Sequence, residues 1–252
     1  MTAEPSESIA FTCNVCGART SAIVFGREGA PCERCGSTVR MRAAIRGLSH
    51  ALFGAVMPIH QFPRRPARRG IGISDWEGYA RRLRRVFSYR NTFLHRKPRL
   101  DVMSPPAAET GKNDFVVAID VFEHVPPPVR RAFEGAISLL KRGGVFVFSA
   151  PYTGNSQTVE HFPDLGRHVV TTLLGRPCLV YESADGRLRL RTDLTFHGGE
   201  GATLEMRLFS RDDIIAHLTA AGCVDIRVLG DAPEWGILYD NDCSHTIIAV
   251  RA

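Results

Sequence analysis

Four cysteines carry the most specific chemistry in the chain. Cys13-x-x-Cys16 is followed after 15 residues by Cys32-x-x-Cys35. That is the spacing at which two CxxC pairs wrap one tetrahedral ion. Gly17 and Gly36 follow the second cysteine of each pair, where a knuckle turn favours positive φ. Four thiolates close the coordination sphere, so the expected zinc is structural and not catalytic. Residues 11–37 are too few to hold a core, and the metal would supply the folding energy. Two disulfides are the rival reading, which a cytoplasmic chain disfavours. Cys178, Cys223 and Cys243 stand apart and read as core or free thiols.

The elements that must position any further chemistry follow from periodicity. Thr38 to Ala55 has helical spacing, with Val39, Met41, Ile45, Leu48, Leu52 and Phe53 apolar and Arg40, Arg42 and Arg46 free to point outward. Met57 to Gly70, rich in proline and arginine, reads as a linker. The domain boundaries expected are 11–37 for the ribbon, 38–68 for the helix and linker, and 69–252 for the main domain. Beyond residue 69, short apolar runs alternate with helical stretches. Gly70–Ser74, Arg90–His95, Arg99–Met103, Phe115–Asp120, Val145–Ser149, Val224–Leu229 and Thr246–Arg251 read as strands. Tyr79–Phe87, Pro126–Leu140 and Arg211–Ala221 read as helices, the last N-capped by Ser210. The Lys141-Arg142-Gly143-Gly144 stretch is expected to close the second of these helices. The pattern predicts an α/β sheet with helices on both faces. Residues 152–208 interrupt it as a β-rich insertion, with chain reversals at Ala184-Asp185-Gly186 and near His197-Gly198-Gly199.

Composition narrows the class. At 44% hydrophobic and 23% charged, the 252 residues form an ordinary globular chain and not a disordered one. No apolar run approaches the ~18–20 residues of a membrane span. The polar, acidic start MTAEPSESIA does not resemble a secretory signal, so a cytoplasmic location is expected. From Arg64 to Arg99, twelve Lys and Arg face two acids, a local charge of +10, which leaves −4 over the rest of a chain whose total is +6. Such a segment can meet nucleic acid, but no aromatic ladder accompanies it, and a solvated arginine face is the favoured reading.

Three stretches resemble class I S-adenosylmethionine-dependent methyltransferases of the type 11 kind. Asp114-Phe115-Val116-Val117-Ala118-Ile119-Asp120-Val121-Phe122-Glu123-His124-Val125-Pro126 is similar to the family's fourth strand and its EHVP exit. Leu139-Leu140-Lys141-Arg142-Gly143-Gly144 is similar to the turn into the fifth strand, with Arg142 in place of the usual proline. The closing helix, strand and strand are the third. A subgroup with an N-terminal zinc ribbon also carries stretches like SDWEGYA, VEHFPDL and FHGGEGATLEMR. The resemblance implies a doubly wound, seven-stranded Rossmann-like sheet whose last strand is antiparallel. It also implies S-adenosylmethionine as cofactor. Gly72, Ser74, Asp75 and Gly78 would line the methionine side, Asp101 the adenosine side, and Asp120 and Val121 the floor between them. The first loop departs from the family's glycine-rich pattern at Ser74. The acid that usually ends the second strand has no equivalent in Tyr89–Arg99.

The resemblance also implies catalytic candidates. Methyl transfer is an in-line displacement, accelerated by positioning and, for a hydroxyl of high pKa, by a base. His124 is the leading base, with Glu123 and Tyr152 beside it; the alternative is that His124 only packs at a helix entrance. Asp120, Glu123 and His124 together also resemble the metal-binding set of some O-methyltransferases, with His161 or His197 as an added ligand. Tyr152, Glu160, His161, His197 and Glu200 of the insertion are candidate acceptor contacts, with Gly198, Gly199 and Gly201 allowing a tight turn. A dimerising hairpin is the alternative for this insertion. The function expected is methyl transfer to a small, hydroxylated or sugar-like acceptor. An RNA methyltransferase using the ribbon and the basic segment, and a non-catalytic binding protein on a degenerate fold, are the alternatives.

Overall fold

The computed structural model describes residues 8–23, 25–197, 203–240 and 243–252. Strands β1 (Ile9–Thr12) and β2 (Arg19–Ala22) pair antiparallel around the first CxxC. Helix α1 (Val39–Phe53) follows the second. Thr38 gives α1 no side-chain cap. Instead, the loop between the cysteine pairs satisfies its first turn: Val39 N–H donates to Gly29 O (3.3 Å) and Arg40 N–H to Arg27 O (3.1 Å).

Strand β3 (Arg65–Ile73) leads to α2 (Glu77–Leu83), β4 (Phe87–Thr92), β5 (Asn113–Ile119), α3 (Arg130–Ser138) and β6 (Leu140–Ser149). The insertion contributes β7 (Tyr152–Thr153), β8 (Val159–Glu160), β9 (Leu165–Leu173), β10 (Arg176–Ser183), β11 (Leu188–Arg191), β12 (Phe196–His197), β13 (Thr203–Leu204) and β14 (Arg207–Ser210). Helix α4 (Arg211–Ala220), β15 (Cys223–Leu229) and β16 (Thr246–Arg251) close the fold. Ser210 Oγ accepts the Asp213 N–H, as the capping signal requires.

The central sheet runs β15-β16-β6-β5-β3-β4, six strands among the described residues. Four are parallel, and β16 is antiparallel to both its neighbours. The seventh expected strand, Arg99–Met103, does not form; its pairing is reduced to a single bridge between Phe93 and Arg99. Side chains alternate across the sheet. Val116 and Ala118 join Phe146, Phe148, Ile247 and Ala249 beneath α3 and α4. Phe115, Val117 and Ile119 join Val145, Val147 and Ile248 beneath α1 and α2.

Several boundaries differ from the sequence expectation. Arg65–Gly70 belong to β3 and not to the linker, because Arg65 already pairs with Phe87. Phe87 starts β4 instead of ending α2; its ring packs on Phe53, Phe62 and Phe115. Helix α3 starts at Arg130 and stops at Ser138. Leu140 already pairs with Asn113, so Lys141–Gly144 form a bulged start of β6, with Gly143 at φ +72°.

Helix α1 also has a different role from a satellite helix. It packs on the sheet, and Gly47 allows the approach: a Cβ there would sit 3.1 Å from Thr246 Cγ2. Arg42, expected to point outward, is fully buried. Its guanidinium lies 4.6 Å from the Phe11 ring centroid, bonds Ser37 O, and donates to Gly236 O at 2.7 Å. No helix among the described residues is long and apolar enough to cross a membrane.

Candidate active site

A cavity of about 640 Å³ opens at the carboxyl ends of β3 and β5, where the sheet order reverses. That is where open α/β sheets take ligands. Ile73 and Ser74 line it from β3, Asp120, Val121 and His124 from the exit of β5, and the loop after β4 supplies Phe93–Arg96 and Leu100–Met103. Ser74, Asp101, Asp120, Val121 and His124 therefore come together as expected. Phe93, Leu94, His95 and Arg96 were missed as lining; Arg96 stacks 3.7 Å over the Phe93 ring centroid. From the sequence Phe93–His95 read as the end of a strand, but β4 stops at Thr92.

Gly72, Asp75, Gly78 and Tyr152 do not line the cavity. Asp75 turns inward, accepting from Tyr79 Oη (2.7 Å) and from Tyr89 Oη, while Asn91 bonds its backbone on both sides. A Cβ at Gly72 would overlap Tyr89 Oη and Asp75, so this glycine makes room for the buried acid. A Cβ at Gly78 would overlap the Trp76 ring. Tyr152 lies in the core beneath α3 and α4, its hydroxyl 3.2 Å from His245 Nδ1.

Burial raises the Asp75 carboxyl to about 7, against ~3.9 in an unfolded chain. Between those values the unfolded state has released a proton that the folded state keeps. Stability from this group therefore falls as pH rises from about 4 to about 7 and changes no further above that. The difference is on the order of 4 kcal/mol. Asp75→Asn is expected to remove this slope. Urea midpoints at about pH 5 and pH 8 measure it, and parallel slopes in the two proteins would count against a raised Asp75.

Asp120 forms the cavity wall in a left-handed conformation, φ +56°. Oδ1 accepts from Ser149 Oγ at 3.0 Å. Oδ2 meets Arg27 Nη2 at 2.6 Å and Arg40 Nη1 at 3.2 Å. One arginine comes from the ribbon loop and the other from the first turn of α1. Their charges commit Asp120 to the protein, so it is not available to a metal set with Glu123 and His124.

Glu123 and His124 lie on a single turn after β5. His124 Nδ1 bonds Leu204 O at 2.9 Å, and Nε2 lies 3.6 Å from Glu123 Oε1. Glu123 is fully buried, and neither carboxylate oxygen has a hydrogen-bond partner. Burial, with the nearby Asp120 charge, pushes its carboxyl well above the usual range. Burial lowers His124, keeping its imidazole neutral. The insertion closes over this pair. His197 packs edge-on against the His124 ring, centroids 4.8 Å apart. Glu205 bridges His197 Nε2 (2.7 Å) and His161 Nε2 (2.8 Å). Glu160 is taken by the buried Arg207, at 2.7 Å. Gly198, Gly199, Glu200 and Gly201 lie outside the described residues.

In the ribbon, Cys13 Sγ and Cys35 Sγ lie 3.7 Å apart, and Cys16 Sγ and Cys32 Sγ 3.6 Å. A tetrahedral zinc with ~2.3 Å bonds sets its sulfurs ~3.8 Å apart, so the four thiols fit that ion. None of the seven cysteines is in a disulfide.

No family model matches the sequence. No curated protein matches it either. Among solved structures, the chain is similar to the N-terminal domain of EvdMO1 with SAH bound, at 17% identity and a TM-score of 0.50, over 87% of this chain and 83% of that one. The chain has the Rossmann-like fold of S-adenosylmethionine-dependent methyltransferases. Two further structures with lower scores resemble it. One is SAM-bound CalS10, an amino pentose methyltransferase from Micromonospora echinaspora, at 16% identity, TM-score 0.47, and 86% and 93% coverage of this chain and that one. The other is the 1,6-didemethyltoxoflavin-N1-methyltransferase of Burkholderia thailandensis, at 15% identity, TM-score 0.44, and 84% and 78% coverage.

Proposed function

We propose that the protein transfers a methyl group from S-adenosylmethionine to a small, hydroxylated acceptor, and that Cys13, Cys16, Cys32 and Cys35 hold a structural zinc. The observation that carries the first part is the cavity at the sheet's reversal point, within the ~300–1,000 Å³ range of small-molecule sites. Ser74, Asp101 and Val121 would hold the cofactor. Asp101 is the lining carboxylate not paired with arginine, and its Oδ1 accepts the Met103 N–H at 2.9 Å. The cofactor supplies a sulfonium methyl group that takes the acceptor oxygen's lone pair, its own bonding pair returning to sulfur while the hydroxyl proton leaves. The chain's part is to orient the acceptor and receive that proton's charge. His124 stands at the cavity with Nδ1 fixed on Leu204 O, which leaves Nε2 as the lone-pair nitrogen. The insertion packs on this end through Leu204 and His197.

A small acceptor is favoured over RNA because the basic segment is spread over several elements and partly paired within the chain. Arg84 pairs with Glu77 and Arg90 with Glu109, while Arg96 stacks on Phe93. Calorimetry with S-adenosylhomocysteine is expected to show one site per chain. Val121→Trp is expected to fill the cavity and abolish binding without altering the circular dichroism of the protein. Absence of binding to the wild type at millimolar ligand would overturn the reading.

A further inference from the structure

The geometry points to a divalent metal ion held by Glu123, His124 and His197 at the acceptor end of the cavity, where it would bind and acidify the acceptor hydroxyl. This assignment rests on the methyl-transfer reading for its role in the reaction, but the site itself stands on its own geometry. One ligand atom from each of the three residues lies within 4.8 Å of the other two. Ligands at ~2.0–2.2 Å from one ion lie ~3–4.4 Å apart, so a small turn of His197 completes the set. Its side chain is 31% exposed and has room to make that turn.

The stronger argument is the state of Glu123. A buried carboxyl without partners carries a heavy desolvation cost. Glu123 is 0% exposed, and both of its oxygens lack hydrogen-bond partners. Its nearest titratable neighbour, His124 Nε2, lies 3.6 Å away and is itself a lone-pair nitrogen, because Nδ1 is the atom bonded to Leu204 O. At 3.6 Å the two groups are too far apart for a hydrogen bond, and one cation bonded to both would satisfy the pair. Asp120 does not fill the role, since both its oxygens are engaged by Ser149, Arg27 and Arg40.

The surroundings carry the same sign. Glu205 accepts from His197 Nε2 and orients its ring, as a carboxylate commonly does behind a ligating histidine. His161 holds the other oxygen of Glu205. Two imidazoles and one carboxylate suit Mn²⁺, Fe²⁺, Co²⁺ or Zn²⁺ better than Mg²⁺ or Ca²⁺. Three protein ligands leave coordination positions open toward the cavity, where His124 stands in the wall. The ion would bind the acceptor oxygen there. With Nε2 of His124 on the ion, His124 would be a ligand and not the base; the hydroxyl proton would pass to solvent, and the oxygen lone pair would form the bond to the methyl carbon as its bond to sulfur breaks.

The test is Mn²⁺ titration of the zinc-loaded full chain, followed by loss of the free-ion EPR signal. One Mn²⁺ per chain is expected, with S-adenosylhomocysteine affinity measured in parallel. His197→Gln, on a partly exposed residue, and Glu123→Gln are each expected to weaken Mn²⁺ at least tenfold while leaving S-adenosylhomocysteine affinity within a factor of ~2. Glu205→Gln is expected to weaken it ~10–100-fold. A wild type that binds S-adenosylhomocysteine but neither Mn²⁺ nor Co²⁺ at millimolar ion overturns the metal site and leaves the methyl-transfer reading standing. So does Mn²⁺ binding that survives both His197→Gln and Glu123→Gln. Mn²⁺ binding lost in these variants, in a protein that never binds S-adenosylhomocysteine, sustains the site and sinks the methyl-transfer reading instead.

Discussion

Cys32→Ser is expected to destabilise the whole protein and not only its first forty residues. Cys32 and Cys13 belong to the same apolar cluster as α1, α2 and one face of the central sheet. The loop between the cysteine pairs caps α1, and α1 covers β6 and β16. A zinc site in a small ribbon contributes ~10–16 kcal/mol of apparent binding energy, comparable with the ~5–15 kcal/mol that holds a whole domain. Losing it should therefore cost several kcal/mol of global stability. At ~2–4 °C per kcal/mol for a chain of this size, that lowers the melting midpoint by ~10–20 °C. Metal analysis should show about one zinc per wild-type chain and none in the variant. Calorimetry decides the rest: a sheet transition at the wild-type temperature in the zinc-free variant would mean that the ribbon is only an appendage.

Asp120→Asn should be costly for an electrostatic reason. Asparagine tolerates the left-handed backbone at φ +56° and keeps the side-chain shape, so the change isolates the charge. Arg27 and Arg40 would then lose the acid at 2.6 and 3.2 Å and keep only the exposed Glu28, at 3.8 and 2.5 Å, as counter-ion. Removing one partner from a buried pair typically costs ~3–5 kcal/mol; the arginines here are about a quarter exposed, which places the expected loss near ~3 kcal/mol. In a double-mutant cycle with Arg27→Met, coupling above ~1 kcal/mol is expected. Strict additivity would show that the clamp contributes nothing to folding. Because Asp120 lines the cavity, the same variant is expected to weaken S-adenosylhomocysteine as well as melt earlier.

The legible parts of the sequence were those set by local chemistry. Cys13, Cys16, Cys32 and Cys35 were found by spacing alone, Ser210 by its capping position, and β5 and β16 by continuous apolar runs. Val121 and His124 line the cavity because an acid-ended strand puts whatever follows it at the sheet's edge. The misreadings share a cause, which is that tertiary contact overrode local pattern. Gly72, Asp75 and Gly78 look like a nucleotide loop, yet the side chain of Asp75 folds back between Tyr79 and Tyr89, two aromatics whose hydroxyls no periodicity argument could aim. Arg42 sits at a position that reads as surface, and the carbonyls of Ser37 and the distant Gly236 make its burial possible. His197 and Glu205 meet Glu123 and His124 only because the insertion folds back over the exit of β5; nothing in their own segment shows it.

That contact between Arg42 and Gly236 bears on the order in which the protein is made. The two residues are 194 positions apart. At ~5–20 residues per second, a ribosome needs roughly 10–40 s to travel between them. Throughout that interval the ribbon, complete in sequence and able to collect its ion, has a buried guanidinium with one of its acceptors still unmade. Gly26 waits likewise for Leu238, whose carbonyl receives its N–H at 3.1 Å. The ribbon is thus made well before the segment that seals it.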